Sequence, residues 1–519
     1  MASARSLRRW GLVLLIGLTL AAAGGMGWVE HQLRTVRGAY TEVVDVAPFP
    51  SAASPVAIVD VAVLAPDGLS MVEGQTVVLR GGLIAAVGPD IPVPDGYPVV
   101  DGAGRYLIPG LVDGHVHTGA NPNDFLLYLA NGVTSIREMS GGDAHLRWRE
   151  QQRNGRLAPR MVVASRKISG KGGVAGWFER WTRNRLNYPD STAARSVIRT
   201  LRAEGYDALK MSGQLPDDVY RATVAIARAE GIAVVGHVPD EVTIGAFPSL
   251  GQQEVAHVEE LTKSLIRSFG GMSHENADAF LQYVRDEAPG LAQDLADHGV
   301  AVTSTIWLVE NLPGQTFALE DALKSVALSY ANPAFVEGTR LTPGWLPGSH
   351  ANSLSEETRR SPAAMRELRV FWETYVEAVH IVLPELVEAG VVVLAGTDAN
   401  APLLVPGFSL HDELASLARA GMTPAQALRS ATAAPGAWQG TQTGVIRPGY
   451  RADVLLLTAD PLDDIAHTRS IAEVYLGGRR LDRATLDAML RAVAEANERS
   501  RRISIEPYRS APSGDAPAR

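Results

Sequence analysis

The chain contains no cysteine among its 519 residues. Disulfide bonds, thiolate metal ligands and cysteine nucleophiles are therefore excluded, and any metal must be held by His, Asp, Glu or a modified side chain. Positive charge is also in deficit, because 48 Lys and Arg stand against 57 Asp and Glu, for a net charge of -9. No strongly basic stripe is present, which argues against a nucleic-acid partner.

What the sequence does contain is enough apolar material for a large core. Hydrophobic residues make up 46% of the chain and charged residues 20%, which is typical of a globular protein. A chain of this length suffices for one large barrel with a smaller domain, or for two or three ordinary domains.

The N-terminus differs from the rest of the chain. Arg5, Arg8 and Arg9 precede the apolar run "WGLVLLIGLTLAAAGGMGW", a pattern typical of an export signal. The run is also about as long as a membrane span, which needs roughly 20 residues. Residues 1–28 are therefore expected to be a signal peptide or a membrane anchor, with the protein exported as a periplasmic, membrane-anchored or secreted form. Residues 29–55 are predicted to be a linker.

Two β-rich fragments flank a long middle section. Residues 56–108 contain "VAIVDVAVLAP" and "QTVVLRGGLIAAVG", and residues 439–485 contain "GYRADVLLLTAD". Short apolar runs punctuated by Gly and Asp indicate strands. We predict one small β-sandwich domain built from both segments, followed by a C-terminal helix and disordered tail over 486–519.

The middle section, residues 109–438, alternates apolar strand candidates with helical patterns. Strict alternation of this kind predicts an α/β fold, specifically a (β/α)8 TIM barrel. The eight strand candidates are residues 111–117, 133–138, 161–165, 208–211, 233–237, 255–257, 300–305 and 391–398. In "GMTPAQALRSA", Thr423 and Gln426 have the spacing of a helix capping box.

Polar residues close several of these apolar runs. His115 and His117 project to the same side of the first strand, which at the C-terminal end of a barrel strand is the barrel mouth. Such a pair alone is a weak signal. Lys210, His257 and Asp398 end other runs at the same level, as does His237. Burying six polar groups without a shared partner would be costly, and a divalent metal is the simplest partner.

These residues resemble the amidohydrolase superfamily, in its imidazolonepropionase-like and Xaa-Pro dipeptidase-like branch. The resemblance is carried by "PGLVDGHVH", "DALKMS", "VVGHVP", "VAHVEEL", "AGTDAN" and "GVIRPGYRADVLLLTADPLDDI". It covers nearly all of residues 56–481. It implies a (β/α)8 barrel that carries a β-sandwich-like domain, and one or two divalent metal ions, usually Zn²⁺.

The resemblance also implies a set of metal ligands. His115, His117 and Asp398 would hold the more buried ion, whereas His237 and His257 would hold the second. Lys210 would bridge both ions as an N-carboxylated side chain, and an unmodified Lys210 would leave a one-metal site.

The implied activity is hydrolysis of a C–N bond by metal-activated hydroxide, with Asp398 as the catalytic base that passes the water proton to the leaving amine. The expected substrate is a small amide or peptide-like molecule, such as a dipeptide or an N-acyl amino acid. One alternative is a one-metal deaminase or cyclic-amide hydrolase, against which Lys210 counts. Lactone or ester hydrolysis, and a catalytically retired binding module, are further alternatives.

Other charged residues near strand ends have two interpretations. Arg137, Glu138, Arg166 and Lys167 are candidates to bind a substrate carboxylate, or they form ion pairs at the barrel rim. The run "KMSGQLPDD" lacks a tyrosine that many dipeptidase relatives carry after the strand-four lysine, which leaves dipeptide specificity open. His411 is interpreted as part of the helix after strand eight.

Overall fold

The computed structural model describes residues 4–509, except Ser51, Pro189, Ala351 and Ser353. The tail predicted to be disordered lies, from residue 510 onward, outside the described residues. The first helix, α1 (Ala4–Val36), exposes most of its apolar surface. Within the described chain it is the one helix long and apolar enough to cross a membrane, over Val13–Val36.

The segment predicted to be a linker, residues 29–55, departs from that expectation. Helix α1 continues to Val36, and Leu33 is buried. Further along, Asn121 and Asn123 each donate a side-chain hydrogen bond of 2.9 Å, to the carbonyls of Thr41 and Glu42. Two side-chain amides therefore bind this segment to the rest of the protein. Hydrogen bonds of this kind produce no hydrophobic pattern in the sequence, so the packing of the segment could not be predicted from it.

The strands follow in chain order and are defined by their residue ranges. They are β1 (Val56–Leu64), β2 (Met71–Arg80), β3 (Leu83–Gly88), β4 (Val99–Asp101), β5 (Tyr106–Pro109), β6 (Leu111–Val116), β7 (Val133–Glu138), β8 (Arg160–Val163), β9 (Ile168–Ser169), β10 (Leu186–Asn187), β11 (Ala208–Met211), β12 (Ala233–Gly236), β13 (Glu254–Val255), β14 (Ala301–Thr303), β15 (Val393–Leu394), β16 (Val454–Leu457), β17 (Ile471–Leu476) and β18 (Arg479–Asp482).

One sheet joins the two ends of the chain. Its order is β18-β17-β16-β5-β1-β2-β3, with β4 beside β1. Strand β16 pairs antiparallel with β5, so that Leu455 faces Ile108. Ile58, Leu79 and Tyr475 belong to a separate apolar core for this sheet. The predicted partnership between the N-terminal and C-terminal β-rich segments is therefore present in the structure.

The middle section forms two parallel sheets. Their orders are β6-β7-β8 and β10-β9-β11-β12-β13-β14-β15. Isolated parallel bridges join Ala164 to Ala208 and Val116 to Ala399. These bridges connect β8 to β11 and link the segment after β15 back to β6. The fold is thus α/β, and each of the eight predicted strands overlaps an observed one.

Helices separate these strands and cover them. After α1 they are α2 (Asp124–Ala130), α3 (Asp143–Arg153), α4 (Gly173–Arg183), α5 (Ala194–Glu204), α6 (Asp217–Glu230), α7 (Val258–Phe269), α8 (Ala277–Asp297), α9 (Ile306–Phe317), α10 (Leu319–Lys324), α11 (Pro333–Glu337), α12 (Glu356–Arg360), α13 (Pro362–Glu388), α14 (Phe408–Arg419), α15 (Pro424–Ser430), α16 (Ala433–Trp438) and α17 (Arg483–Ser500). The capping box predicted at α15 is confirmed, because Thr423 Oγ1 accepts from the Gln426 backbone and Gln426 Oε1 accepts in return.

The two long connections are occupied by helices. Residues 166–199 contain β9, α4, β10 and the start of α5, whereas residues 306–383 contain α9 to α12 and most of α13. Trp345, in the second connection, is buried in the main core. Trp181 donates a 3.0 Å hydrogen bond to Glu30 of helix α1. Both tryptophans therefore stabilise the local structure around them.

Candidate metal centre

Two histidines and one aspartate meet where β6 ends. His115 is the fifth residue of β6 and fully buried, and His117 follows the strand. Their Nε2 atoms lie 3.3 and 3.1 Å from the same atom, Oδ1 of Asp398. One ligand atom from each side chain falls within 4.8 Å of the others, a spacing at which the three could hold one metal ion.

The other three predicted residues adjoin this group. Lys210 on β11 is fully buried, and its Nζ lies 3.1 Å from His115 Nε2. The ring centroids of His257 and His115 are 4.4 Å apart, and those of His237 and His257 are 5.2 Å apart. The structure therefore brings together all six residues that the sequence singled out.

Close backbone packing makes this convergence geometrically feasible. At Gly396 a Cβ would lie 2.8 Å from the Cβ of His115 and 2.6 Å from Thr303. At Gly236 the φ angle is +120°, and a Cβ would lie 2.6 Å from the carbonyl oxygen of Met211. Only glycine fits either position, because any side chain would push neighbouring strand segments apart.

Two residues at the site adopt a left-handed backbone conformation. The φ angle is 58° at Asp398 and 45° at Thr305. This conformation costs a non-glycine residue on the order of 1–3 kcal/mol and concentrates at functional sites. Thr305 is β-branched, which makes the conformation especially unfavourable there. The surrounding structure must hold both residues in place.

Backbone carbonyls orient two of the imidazole rings. His115 Nδ1 lies 3.1 Å from the carbonyl oxygen of Ala256, and His237 Nδ1 lies 3.2 Å from that of Met211. Because a carbonyl only accepts, the proton of each neutral ring belongs on Nδ1. The Nε2 lone pairs then face the cluster, which is the arrangement that metal-binding histidines adopt.

Side chains orient the other two rings. Thr305 Oγ1 lies 3.0 Å from Nδ1 of His257. Glu138 Oε1 lies 3.6 Å from Nδ1 of His117, and Glu138 Oε2 accepts two 2.7 Å hydrogen bonds from the backbone and hydroxyl of Thr118. The role of Thr305 was not predicted from the sequence. Thr305 ends a predicted strand, and the sequence does not indicate that its side chain reaches His257 of the neighbouring strand.

Burial lowers the pKa of three of the four histidines and of Lys210. Burial, followed by the charge of Lys210, holds the pKa of His115 well below its ordinary value. Burial is also the main reason that the pKa values of His237 and His257 are well below the ordinary one. Burial and then the charge of Lys167 lower the pKa of Lys210 to about 7. These groups therefore offer lone pairs near neutral pH.

Asp398 supplies the negative charge of the cluster. Burial raises the pKa of Asp398, but the hydrogen bond and charge of His117 outweigh burial, and the net pKa lies below its usual range. Asp398 Oδ1 is nonetheless buried without a hydrogen bond of good geometry to any described residue. A bound cation would provide the partner that this buried carboxylate oxygen lacks. The residues present therefore fit a divalent metal.

Three of the four additional candidates lie in different places. Glu138 orients His117, whereas Lys167 lies inside the cluster, with its Nζ 3.4 Å from His237 Nε2. Arg137 is buried below the site and donates to Glu254 at 2.6 Å. Arg137 therefore neither reaches a substrate at the metal centre nor forms an ion pair at the exposed rim.

His411, assigned from the sequence to the helix after strand eight, lies in α14. Its Nδ1 lies 2.9 Å from Thr468 Oγ1 and its Nε2 lies 3.1 Å from the carbonyl oxygen of Asn131. Both ring nitrogens are thus occupied by packing contacts away from the cluster.

The fold is α/β, and the cluster contains a group of side chains that could hold a metal ion. Residues 106–481 match the amidohydrolase family, and the chain belongs to that family. Family membership confirms the resemblance to the amidohydrolase superfamily and places the chain among hydrolases.

Individual relatives cover the chain to different extents. Imidazolonepropionase of Deinococcus radiodurans is 25% identical over 433 residues, which is 80% of this chain and 93% of that protein. Ochratoxinase of Aspergillus niger is 37% identical over 100 residues, which is 18% of this chain and 20% of ochratoxinase. The solved structure of a bottromycin amidohydrolase has a TM-score of 0.64 at 22% identity, over 85% of this chain and 90% of the other. That structural likeness supports the fold.

Proposed function

We propose that the protein is a metal-dependent hydrolase that cleaves the C–N bond of a small amide or peptide-like substrate, such as a dipeptide or an N-acyl amino acid. The observation that carries the proposal is the convergence of His115, His117 and Asp398 within 4.8 Å, with Lys210 Nζ 3.1 Å from His115. Membership of the amidohydrolase family supports the same class of reaction.

We assign the metal ligands as follows. His115, His117 and Asp398 would hold one divalent ion, most suitably Zn²⁺, because imidazole and carboxylate ligands suit that metal. His237 and His257 would hold the second ion, and Lys210 would serve as a further ligand. When bound, such an ion lowers the pKa of coordinated water to about 7 and polarises the substrate carbonyl.

Lys210 in this proposal is N-carboxylated. Its nitrogen adds to the carbon of CO₂, one proton leaves to solvent, and the product is an anionic ligand. Only the neutral amine can form this N–C bond, and burial lowers the pKa of Lys210 to about 7, so that much of the amine is neutral near pH 7. The negative product also offsets the positive charge of the neighbouring Lys167.

Asp398 then acts as the general base. Its carboxylate stays ionised at neutral pH and lies next to His117, the more exposed of the two β6 histidines. It accepts the proton of the attacking water and delivers it to the leaving amine. The Nδ1 contacts of His115 and His237 keep their rings from rotating during this transfer.

The direct test is a hydrolysis screen of dipeptides and N-acyl amino acids with metal-loaded protein, with and without a chelator. Release of an amino acid that the chelator abolishes is the expected result. Release of ammonia from heterocycles would instead identify a deaminase, and preferential turnover of lactones or esters would identify the third alternative. Absence of bound metal together with absence of turnover would identify a retired binding module.

A second candidate, hydrolysis of a cyclic amide, is favoured by one observation. The alignment with an imidazolonepropionase extends over 80% of this chain. Including cyclic amides in the same screen separates the two candidates, because ring opening yields one product whereas dipeptide cleavage yields two.

We predict that Lys210→Ala lowers the number of bound zinc ions and removes their dependence on bicarbonate. Wild-type protein reconstituted with ¹³C-bicarbonate should give a carbamate ¹³C resonance that the variant lacks, because Lys210 provides the only proposed carbamate nitrogen. Metal is counted by plasma mass spectrometry. Equal zinc content in both proteins and no carbamate resonance in either would favour a one-metal site.

We predict that Thr305→Val weakens zinc binding by about 10–100-fold, the usual effect of removing a group that orients a metal ligand. The hydroxyl that contacts His257 Nδ1 is lost while the side-chain shape is kept. Thr305→Ser retains the hydroxyl and serves as the matched control. Zinc affinity is measured by competition with a chromophoric chelator, and equal affinities for Val and wild type would exclude this positioning role.

The domain organisation and location extend the proposal. The linked strands β6, β7, β8 and β11 to β15 are proposed to close a (β/α)8 barrel, and the sheet of β1–β5 with β16–β18 to form a β-sandwich. The exposed apolar helix α1 supports export, with the helix retained as an anchor or removed as a signal. Membrane fractionation and N-terminal sequencing of the mature protein separate these two outcomes.

A further inference from the structure

A cavity opens at the end of the strands opposite the metal centre. It has a volume of about 620 Å³ and lies between the barrel strands, helix α3 and the segment that leads into β16. Its lining includes the first residues of β8, β11 and β12, namely Arg160, Ala208 and Ala233. The proposed metal ligands lie at or beyond the other ends of their strands, so the two sites are separate.

Arginine dominates the charged lining of this cavity. Five arginines and one carboxylate, that of Asp207, line it; the arginines are Arg137, Arg149, Arg153, Arg160 and Arg451. Asp207 forms an ion pair with Arg149, at an N–O distance of 2.5 Å. Carboxylates behind the lining neutralise two further guanidinium groups, because Glu254 pairs with Arg137 and Asp453 pairs with Arg160.

The remaining positive charge is not neutralised. Arg153 lies 3.8 Å from the exposed Glu150, a weak pair. The Arg451 side chain forms no hydrogen bond or ion pair with the described residues, and the charge of Arg160 is the main cause that lowers its pKa. Arg451 is thus a guanidinium group without a carboxylate of its own, beside a second guanidinium group, and a bound anion would supply the missing partner.

A buried guanidinium strengthens the case. Arg137 is only 2% exposed, and its Nη1 has no hydrogen-bond partner among the described residues. A charged group buried to this extent normally has all its donors satisfied. The indole of Trp438 lies beside the same guanidinium, 5.1 Å from its central carbon, and also lines the cavity.

The rest of the lining mixes apolar residues with six uncharged polar ones. Val112, Ile136, Met161 and Val162 line the cavity together with Trp438. A cavity of this size that combines apolar surface with a few cationic groups suits a small organic molecule better than a free inorganic ion. We propose that this cavity binds a small organic anion with an aromatic or apolar body and at least two negative charges, held by Arg451, Arg153 and Arg137.

The test is isothermal titration of metal-loaded full-length protein with naphthalene-1,5-disulfonate, a flat dianion whose sulfonates coordinate metals weakly. One saturable site is expected, with an affinity that falls as salt is added. Arg451→Glu and Arg153→Glu should each raise the dissociation constant by at least about tenfold, because each places a negative charge against the ligand. Both side chains are exposed, so circular dichroism should show an intact fold.

The matched control is Arg447→Glu, which makes the same charge change outside the cavity, where Arg447 stacks on Tyr450. It should bind the probe like wild type. The proposal is overturned if no saturable binding occurs, or if Arg447→Glu weakens binding as much as Arg451→Glu. It is also overturned if Asp398→Asn abolishes binding while Arg451→Glu retains it, because the probe would then occupy the metal centre.

Discussion

Asp398→Asn is expected to lower kcat/KM for the proposed amide substrate by about 10²–10⁴-fold, the usual contribution of a general base, while the fold is retained. Asparagine has nearly the same shape, but its amide cannot accept the water proton or carry charge. Asp398 Oδ1 lies 3.1 Å from His117 Nε2 and 3.3 Å from His115 Nε2, so its carboxylate contacts both histidines of β6.

The matched control for this substitution is Asp240→Asn. Asp240 follows the strand that leads to His237, but its side chain is 63% exposed and faces Arg267, so the change should leave turnover unaltered. Metal content is measured on the same samples, since Asp398 is also a proposed ligand. A variant that keeps its metal and near-normal turnover would remove Asp398 from proton transfer.

The strands were predictable because each is a short buried apolar run between polar segments. Observed β7 and β11 have the predicted limits, residues 133–138 and 208–211. Strands β12 to β15 are shorter than predicted, because the backbone changes direction where each strand reaches the site. His257 is the residue that caps helix α7, and the left-handed Asp398 follows β15 by four positions. Apolar patterning locates a strand but not the turn at its end.

The convergence of six site residues was predictable for a related reason. Parallel strands in a ring bring their C-terminal ends together, so polar residues at those ends meet regardless of their separation in sequence. The residues that orient the ligands were not predictable in the same way. The sequence identifies Glu138 only as a charged residue at the end of a strand. Its contact with His117 depends on how side chains of two neighbouring strands are oriented, which the sequence does not show.

The interior charge pair beneath the site was also beyond prediction. Arg137 and Glu254 are 117 positions apart, and each is buried. From the sequence, Arg137 is one more charged residue at a strand end. The structure places it inside, where its Nε donates to the Gly114 carbonyl at 2.6 Å. Glu254 Oε2 accepts from the Gly236 backbone at 3.3 Å.

Arg137→Met is therefore expected to destabilise the protein by about 3–5 kcal/mol, the usual cost of leaving one member of a buried ion pair without its partner. Glu254→Gln should have a comparable effect for the same reason. The double variant should lose clearly less than the sum of the two, because it buries no unpaired charge. Urea unfolding of the four proteins gives these free energies.

An exposed pair provides the control for that cycle. Arg221 and Asp217 lie on the surface of α6 with side chains 46% and 39% exposed, so Arg221→Met should cost less than about 1 kcal/mol. Additive losses at Arg137 and Glu254 would contradict a coupled pair. Arg137 is hydrogen-bonded to Gly114 and Glu254 to Gly236, which are the residues next to His115 and His237. Arg137→Met and Glu254→Gln should therefore also bind zinc more weakly than Arg221→Met. Stability of the protein interior and geometry of the candidate metal centre would then depend on the same pair of residues.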